Sequence, residues 1–478
     1  MFNCIIMGAA GRDFHDFRTF FVDHPEFHVC AFTATQIPFI AERSFPRALA
    51  GEGYDVDIPI FDEQELPGLI DALDIDFVFF AYSDLPHSEV MHRASMVQAA
   101  GASFVLLGPK LTMLKSRKKV VSITATRTGA GKSPLTQWLA LGLRDAGIRV
   151  ATLRHPMPYG NLGQQAVQRF AEFADLDRNN CTIEEREEYE PYVRQGLVIF
   201  AGVDYRAILR AAEEEADIIL WDGGNNDFSF VEPDLSIVVS DALRAGHGLD
   251  YYPGETNFRA ADILVINKVA AASPADIETI IALQRRLNPA AELVHSDLEV
   301  SVEEAYKIRG KRVLIVEDGP TVTHGGMAYG AGWVAAGKYG AGEILDPEPF
   351  AVGSIRETFA ANPHLRQVVP AMGYSEEQRA ELKATIEGSG ADVVINASPA
   401  NITELLELSL PVVQVRFGFV PGAGAVLFSR VAGLLSPSVT WSPQASHPGQ
   451  VVCIGWRGGS RPVSHNSFVW QQGLVEIQ

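Results

Sequence analysis

The chain reads as an α/β protein made of three successive units, at 1–115, 116–320 and 321–478, and three observations carry that reading. Short apolar runs rich in β-branched and aromatic residues recur between longer amphipathic segments. One such run, 120–124, feeds Thr126-Arg127-Thr128-Gly129-Ala130-Gly131-Lys132-Ser133 and then an amphipathic segment that begins at Pro134. A glycine-dense stretch after Asp318 separates the second unit from further strand and helix patterns beyond 365.

Composition narrows the possibilities. With 478 residues, 47% hydrophobic and 21% charged, the chain is long enough for several cores and has the balance of a soluble globular protein. No run approaches the roughly 20 apolar residues that span a bilayer. Met1-Phe2-Asn3-Cys4-Ile5 lacks a basic region followed by a small-residue cleavage site, so a cytoplasmic protein is expected. Cys4, Cys30, Cys181 and Cys453 are scattered without metal-ligand spacing and read as reduced thiols. The net charge of −20 argues against nucleic acid and anionic membranes as partners. Homodimers are the default for soluble oligomers, and one is expected here.

The first unit is Rossmann-like. Strands are predicted at 2–7, 28–33, 76–82 and 103–107, with a helix face from Phe14, Phe17, Phe20 and Phe21 and a second helix over 86–100. Its turn Gly8-Ala9-Ala10-Gly11-Arg12 lacks the third glycine of a dinucleotide fingerprint, and the second strand ends in Thr33-Ala34-Thr35 without a carboxylate for a ribose. The turn could receive a phosphate-bearing molecule, with Arg12 as a planar donor, or simply let strand meet helix. Lys115-Ser116-Arg117-Lys118-Lys119 reads as a solvated linker to the next unit.

The second unit carries the chemistry. Strand, glycine turn and helix aim main-chain N–H groups at one spot, which suits a polyphosphate. In this P-loop pattern Thr128, Gly129, Ala130 and Gly131 would cradle the nucleotide, Lys132 would lie along the β- and γ-phosphates and Ser133 would hold Mg²⁺. Thr126 replaces the opening glycine of the pattern. Leu135, Trp138, Leu139, Leu143 and Ala146 share one helical face, and Gly147 is a stop. Further strands are predicted at 148–153, 197–201, 218–222, 235–239, 263–267 and 312–317, with helices after Asp204 and after Ser273-Pro274.

Polar groups stand where these strands end. The run from Asp217 to Asp222 is a buried strand closing on an acid, the way a Walker B carboxylate reaches Mg²⁺, although an acid there can also merely cap a turn. Asn225, Asn226 and Asp227 follow, as water-orienting groups or as turn residues. Arg154 and His155 could clamp a phosphate near the γ-position. The acidic run 184–190 is expected to be a solvated helix face apart from Arg186 and Tyr189. Ile266-Asn267-Lys268-Val269-Ala270 is similar to the base-reading motif of GTPases, but Ala270 stands where that motif has its guanine-binding Asp, which favours ATP. Between 318 and 342 the glycine-rich loop is expected to approach a ligand, and His324 is an acid/base or phosphate-contact candidate. The third unit has predicted strands at 367–371, 392–396 and 412–416 and an irregular tail after about 435.

With these motifs the chain resembles the cyclic 2,3-diphosphoglycerate synthetase family and its archaeal and bacterial relatives over about 1–430. The resemblance rests on Gly8 to Phe14, Arg154 to Gly160, Asn180 to Pro191, Trp221 to Asp227, Pro253-Gly254-Glu255 and Glu317 to Gly326. It implies ATP-dependent closure of an intramolecular phosphoanhydride in a small phosphorylated acid, giving ADP and phosphate. Lys132, Ser133 and Asp222 would then activate the γ-phosphoryl group with Mg²⁺. Arg154, His155, Arg186 and Arg12 or Arg127 would hold the second phosphate compound, with Asp227 also at the site. The rival class is a GTPase or ATPase switch or chaperone acting on a protein partner.

Overall fold

A computed structural model describes residues 1–9, 11–35, 43–155, 162–224, 227–323, 325–365, 367–373, 375–422, 424–435, 444–445 and 451–452. Asn225, Asn226, His324, Cys453 and most of the tail lie outside these. Two large sheets organise the chain. The first has six strands in the order Ser44–Phe45, Ile58–Asp62, Phe27–Ala34, Phe2–Met7, Phe77–Phe80 and Ser103–Val105. Every pairing in it is parallel except that of the edge strand Ser44–Phe45 with Ile58–Asp62. Its core is aromatic: Phe14 packs at 5.2 Å from Phe32 and 4.8 Å from Phe45. Helix Arg12–Thr19 supplies Phe14 and Phe17 to that core, as its periodicity predicts.

The second sheet has thirteen strands and joins what the sequence divides. Its P-loop half runs Val198–Ala201, Val150–Arg154, Ile218–Asp222, Lys119–Ala125, Leu235–Asp241 and Ile263–Asn267, all parallel, with Gln168–Phe170 antiparallel at the edge. These strands are apolar runs buried on both faces by helices such as Lys132–Asp145, which buries Leu135, Leu139 and Leu143. Helices Tyr205–Glu215 and Pro274–Leu287 begin where predicted: Asp204 and Ser273 accept main-chain N–H bonds from Ala207 and Asp276.

The seam is a strand absent from the sequence reading, Glu292–Val302. Its first residues pair parallel with Ile263–Asn267, and from Ser296 onward it pairs antiparallel with Val412–Pro421. Strand direction therefore reverses at the seam, and the carboxyl ends of the two halves come to line one cleft. One expectation is corrected here. The strand predicted at 312–317 does form, as Arg312–Glu317, but it pairs with Glu343–Ile344, Val369–Pro370 and Val393–Asn396 in the C-terminal half rather than with the P-loop strands. Cys4, Cys30 and Cys181 are free thiols. Among the described residues no helix is long and apolar enough to cross a membrane.

Candidate active site

A cleft of about 590 Å³ opens where the parallel strands stop, lined along one side by residues 127–134. Gly129 and Gly131 there take φ of +77° and +103°. A Cβ on Gly131 would also overlap Asn267 Nδ2, so glycine is required both for its backbone and for its size. Helix Lys132–Asp145 starts directly after this turn, and its first N–H groups have no partner within the helix.

Adjacent strands then bring a charged set together. Asp222 sits in register opposite Ile123 of the P-loop strand on one side and opposite Arg154 on the other. Lys132 Nζ lies 3.1 Å from Asp222 Oδ1, and Arg154 Nη1 lies 2.8 Å from Asp222 Oδ2. The same Arg154 nitrogen donates to Ser133 Oγ at 3.1 Å. Tyr192 OH donates to Asp222 Oδ2 at 2.6 Å. Arg154 Nη2 pairs with Glu188. Burial pushes Asp222 up, but Arg154 and Lys132 outweigh it and hold the acid below the usual carboxylate range. Burial and neighbouring Arg154 lower the Lys132 ammonium, with Asp222 and Glu188 acting against them.

This arrangement fits a nucleotide with its metal. Ser133 Oγ and Asp222 Oδ2 both bond one Arg154 nitrogen, so a hydroxyl and a carboxylate converge on a single point. Ser133 and Asp222 would hold a magnesium ion that arrives with a triphosphate, which would supply charge neutralisation at the phosphates. Among the described residues no cluster of three or more His, Cys, Asp or Glu side chains could hold a metal ion by itself.

Asn267 and Lys268 support the loop from below. Asn267 Nδ2 donates to the Ala130 carbonyl at 2.8 Å, and Lys268 Nζ donates to the Gly129 carbonyl at 2.7 Å and to Asp241 at 2.8 Å. Arg244 holds the Thr128 carbonyl at 2.7 Å, and Arg127 stacks over Tyr251 at 3.6 Å and pairs with Asp84 at 2.9 Å. Beside Ala270 the sequence lacks an acid, but the fold brings Asp297 there. Its two oxygens are taken by the main-chain N–H groups of Ala270 and Leu298, at 2.8 and 3.0 Å.

A second group gathers at the junction with the N-terminal sheet. His155 Nε2 lies 2.6 Å from Asp227 Oδ2, and Arg12 Nη1 lies 3.9 Å from Asp227 Oδ1. Arg12 also donates to Tyr252 OH at 3.0 Å and lies over Phe228. His155 packs so closely between Gly11 and Gly224 that a Cβ on either would clash with its ring. The glycine turn of the first unit thus meets the second unit's strand ends.

Arg186 pairs with Asp177 and is not among the residues that line the cleft. One expectation needs correction. The acidic run is not solvated: in helix Ile183–Arg194, Glu184, Glu185, Glu187 and Glu190 are all buried. Thr182 and Glu185 cap its start reciprocally, and Glu187 and Glu188 reach the cleft. A charged run is solvated by default because ions prefer water, but here the C-terminal half covers it. Ser398 donates to Glu187 and the Gly373 N–H donates to Glu184. Sequence reasoning missed Glu187, Glu188 and Tyr192. Their available signals were the Thr182…Glu185 capping pattern and aromatic residues at 189 and 192, three apart on one face.

No family model matches the chain. An arginine synthetase, ArcE, from Thermococcus kodakarensis is 56% identical over 413 residues, which cover 86% of this chain and 92% of that protein. A tetraacyldisaccharide 4'-kinase from Dechloromonas aromatica is 32% identical over 127 residues, 25% of this chain and 34% of the kinase. Among solved structures, LpxK from Aquifex aeolicus in complex with ATP is similar at a TM-score of 0.40 and 14% identity, covering 77% of this chain and 99% of that one. Neither curated relative is named a cyclic 2,3-diphosphoglycerate synthetase.

Proposed function

The chain belongs to the family of the arginine synthetase ArcE, and from that premise we propose that it is an ATP-dependent synthetase that forms arginine by phosphoryl activation of a small acceptor. The observation that carries the reading is the convergence of Lys132, Ser133, Asp222 and Arg154 at the mouth of the P-loop. Arginine ends in a carbon bonded to three nitrogens. An acceptor with oxygen in place of one of them, a ureido group, has no leaving group until that oxygen is phosphorylated. Transfer of the γ-phosphoryl group supplies it: a nitrogen nucleophile then forms the new C–N bond while the C–O bond to phosphate breaks, giving ADP and phosphate.

In this reading Lys132 lies along the β- and γ-phosphates, and Arg154 moves from Asp222 toward the transferring group as charge builds on it. Ser133 and Asp222 would hold Mg²⁺, which neutralises phosphate charge when bound with the nucleotide. Asn267, Lys268 and Arg244 keep the loop carbonyls turned away from the phosphates. The resemblance to cyclic 2,3-diphosphoglycerate synthetases supplies a second reading, closure of that phosphoanhydride, which uses the same activation. Arg127, Arg194 and Arg416 on the cleft wall favour it. The carboxylates Glu187, Glu188 and Asp318 on the same cleft favour the first.

The test is phosphorus NMR with amino-acid analysis on full-length protein and ATP. One arm contains citrulline with an ammonium salt, and the other 2,3-diphosphoglycerate. Arginine with stoichiometric ADP and phosphate is expected in the first arm. ATP turnover that depends only on 2,3-diphosphoglycerate would install the second reading, and turnover stimulated only by a protein partner would favour a switch.

A further inference from the structure

We propose that Glu187 receives a nitrogen cation of the substrate, a guanidinium or an ammonium ion, and so determines which acceptor the P-loop chemistry acts on. The inference rests on the arginine-forming reading and names the part of the cleft that recognises the acceptor.

Glu187 projects from helix Ile183–Arg194 and lines the cleft, yet the residue is only 4% exposed. Its Oε1 accepts a hydrogen bond from Ser398 Oγ at 2.6 Å. Its Oε2 is buried and has no hydrogen-bond partner among the described residues. The neighbouring acids are engaged differently. Glu188 pairs with Arg154, Glu317 Oε1 accepts the Gly330 and Trp333 N–H groups at 3.0 Å each, and Asp318 accepts from Thr321. Among the described residues that line the cleft, Glu187 is thus the acid with a buried oxygen that has no hydrogen-bond partner, and no ion pair is formed by it.

A buried carboxylate oxygen without a donor is costly, and the cost is removed by whatever brings an N–H to it. A guanidinium or ammonium brings N–H groups and the opposite charge together. A phosphorylated acid would bring charge of the same sign against Glu187 and Asp318. Burial first, and the nearby Asp318 second, also push the Glu187 carboxyl well above its ordinary range, and a cation beside it acts in the opposite sense. Glu188, the next residue, pairs with Arg154, which pairs with Asp222, and Glu187, Glu188 and Arg154 line the same cleft, so the cation end of the substrate and the phosphoryl-transfer centre share it.

The experiment compares full-length wild type with Glu187→Gln, which keeps the shape and the bond from Ser398. Calorimetry with ADP present measures arginine binding, steady-state kinetics measures the KM for ammonium, and a fluorescent ATP analogue measures nucleotide affinity. Weakening of arginine by at least about 30-fold, as for loss of one partner of a buried charge pair, with nucleotide affinity unchanged, is expected if the cation is the guanidinium. A comparable rise in the ammonium KM alone identifies ammonium as the cation. Unchanged values for both in a folded variant overturn the proposal while leaving the arginine-forming reading intact. A wild type that neither binds arginine nor uses ammonium overturns both. Should Glu187→Gln not fold, Glu187→Asp, which withdraws the charge by one methylene, is judged by the same values.

Discussion

The two walls of the cleft solve the problem of buried charge in opposite ways. On the P-loop side buried acids are paired with cations: Asp222 has Lys132 and Arg154, and Asp241 has Lys268 and Arg244. On the facing wall Glu187 and Glu317 are met by neutral donors, the Ser398 hydroxyl and the Gly330 and Trp333 N–H groups, as Glu184, on the same helix as Glu187, is by the Gly373 N–H. Burial accordingly drives their carboxyls up, Glu184 and Glu317 to about 7. A wall of cations already paired with acid can exchange those acids for phosphate. A wall of acids raised by burial is favoured to ionise when a cation is supplied. One cleft is thereby prepared for two ligands of opposite charge.

Removing a cation from the first wall should have the largest effect. Lys132→Ala deletes the ammonium facing the phosphates and leaves Asp222 with Arg154 alone. A fall of about 10³-fold in kcat/KM is expected from the loss of one such group in a water-poor site. Steady-state ATP turnover measures it, and near-normal turnover would remove the P-loop from the mechanism. Arg154→Met should come next and act on stability as well. It leaves the buried Asp222 and the half-buried Glu188 with one shared cation fewer, which costs about 3–5 kcal/mol. Urea unfolding measures the loss, and a variant as stable as wild type would show that the pairing is not a stabilising one.

Gly254→Ala probes how the P-loop is held rather than what it binds. A Cβ there would overlap the Thr126 carbonyl oxygen, a main-chain atom that cannot move without moving the loop. Overpacking of this kind costs about 1–3 kcal/mol. The KM for ATP should rise with the loss of stability; a rise in neither would mean that the loop and the segment at 254 adjust independently.

How much of this was legible in the chain follows from the range of each interaction. The P-loop strand and helix were readable because Gly131-Lys132-Ser133 and the spacing of Leu135, Leu139 and Leu143 are local signals. Asp222 was readable as the polar end of an apolar run. Glu292–Val302 was not, because Ser296 interrupts the apolar face of Val294, Leu298, Val300 and Val302 and Leu293 adds an apolar residue to the opposite one. The buried acids were misread for a physical reason: a run of glutamates looks the same whether water or another part of the chain covers it. Ser398 and Gly373, which do the covering, lie roughly two hundred residues away in sequence. Arg12 and Asp227 were each named as site candidates, but their proximity depends on how two sheets meet.

The smallest expected effect tests a buried acid of helix Ile183–Arg194 by pH. Burial raises the Glu185 carboxyl from 4.5 to about 7, with the Thr182 N–H opposing. Below 4.5 the group is protonated in both folded and unfolded chains and its folding preference is fully present. Between 4.5 and 7 the unfolded chain releases the proton while the folded one keeps it, so stability falls as pH rises and levels off above about 7. Glu185→Gln stays neutral throughout and can still close the capping box with Thr182. Asp222 and Asp241 shift in the opposite sense, and their contribution is lost only as pH falls through the range below 3.8, outside this window. The other raised acids are common to both proteins and cancel in the difference. The melting temperature of Glu185→Gln relative to wild type should therefore be higher at pH 8 than at pH 5 by about 2 °C or more. A difference that does not change with pH would mean that Glu185 is ionised in the folded protein, and that burial on this helix does not by itself raise its acids.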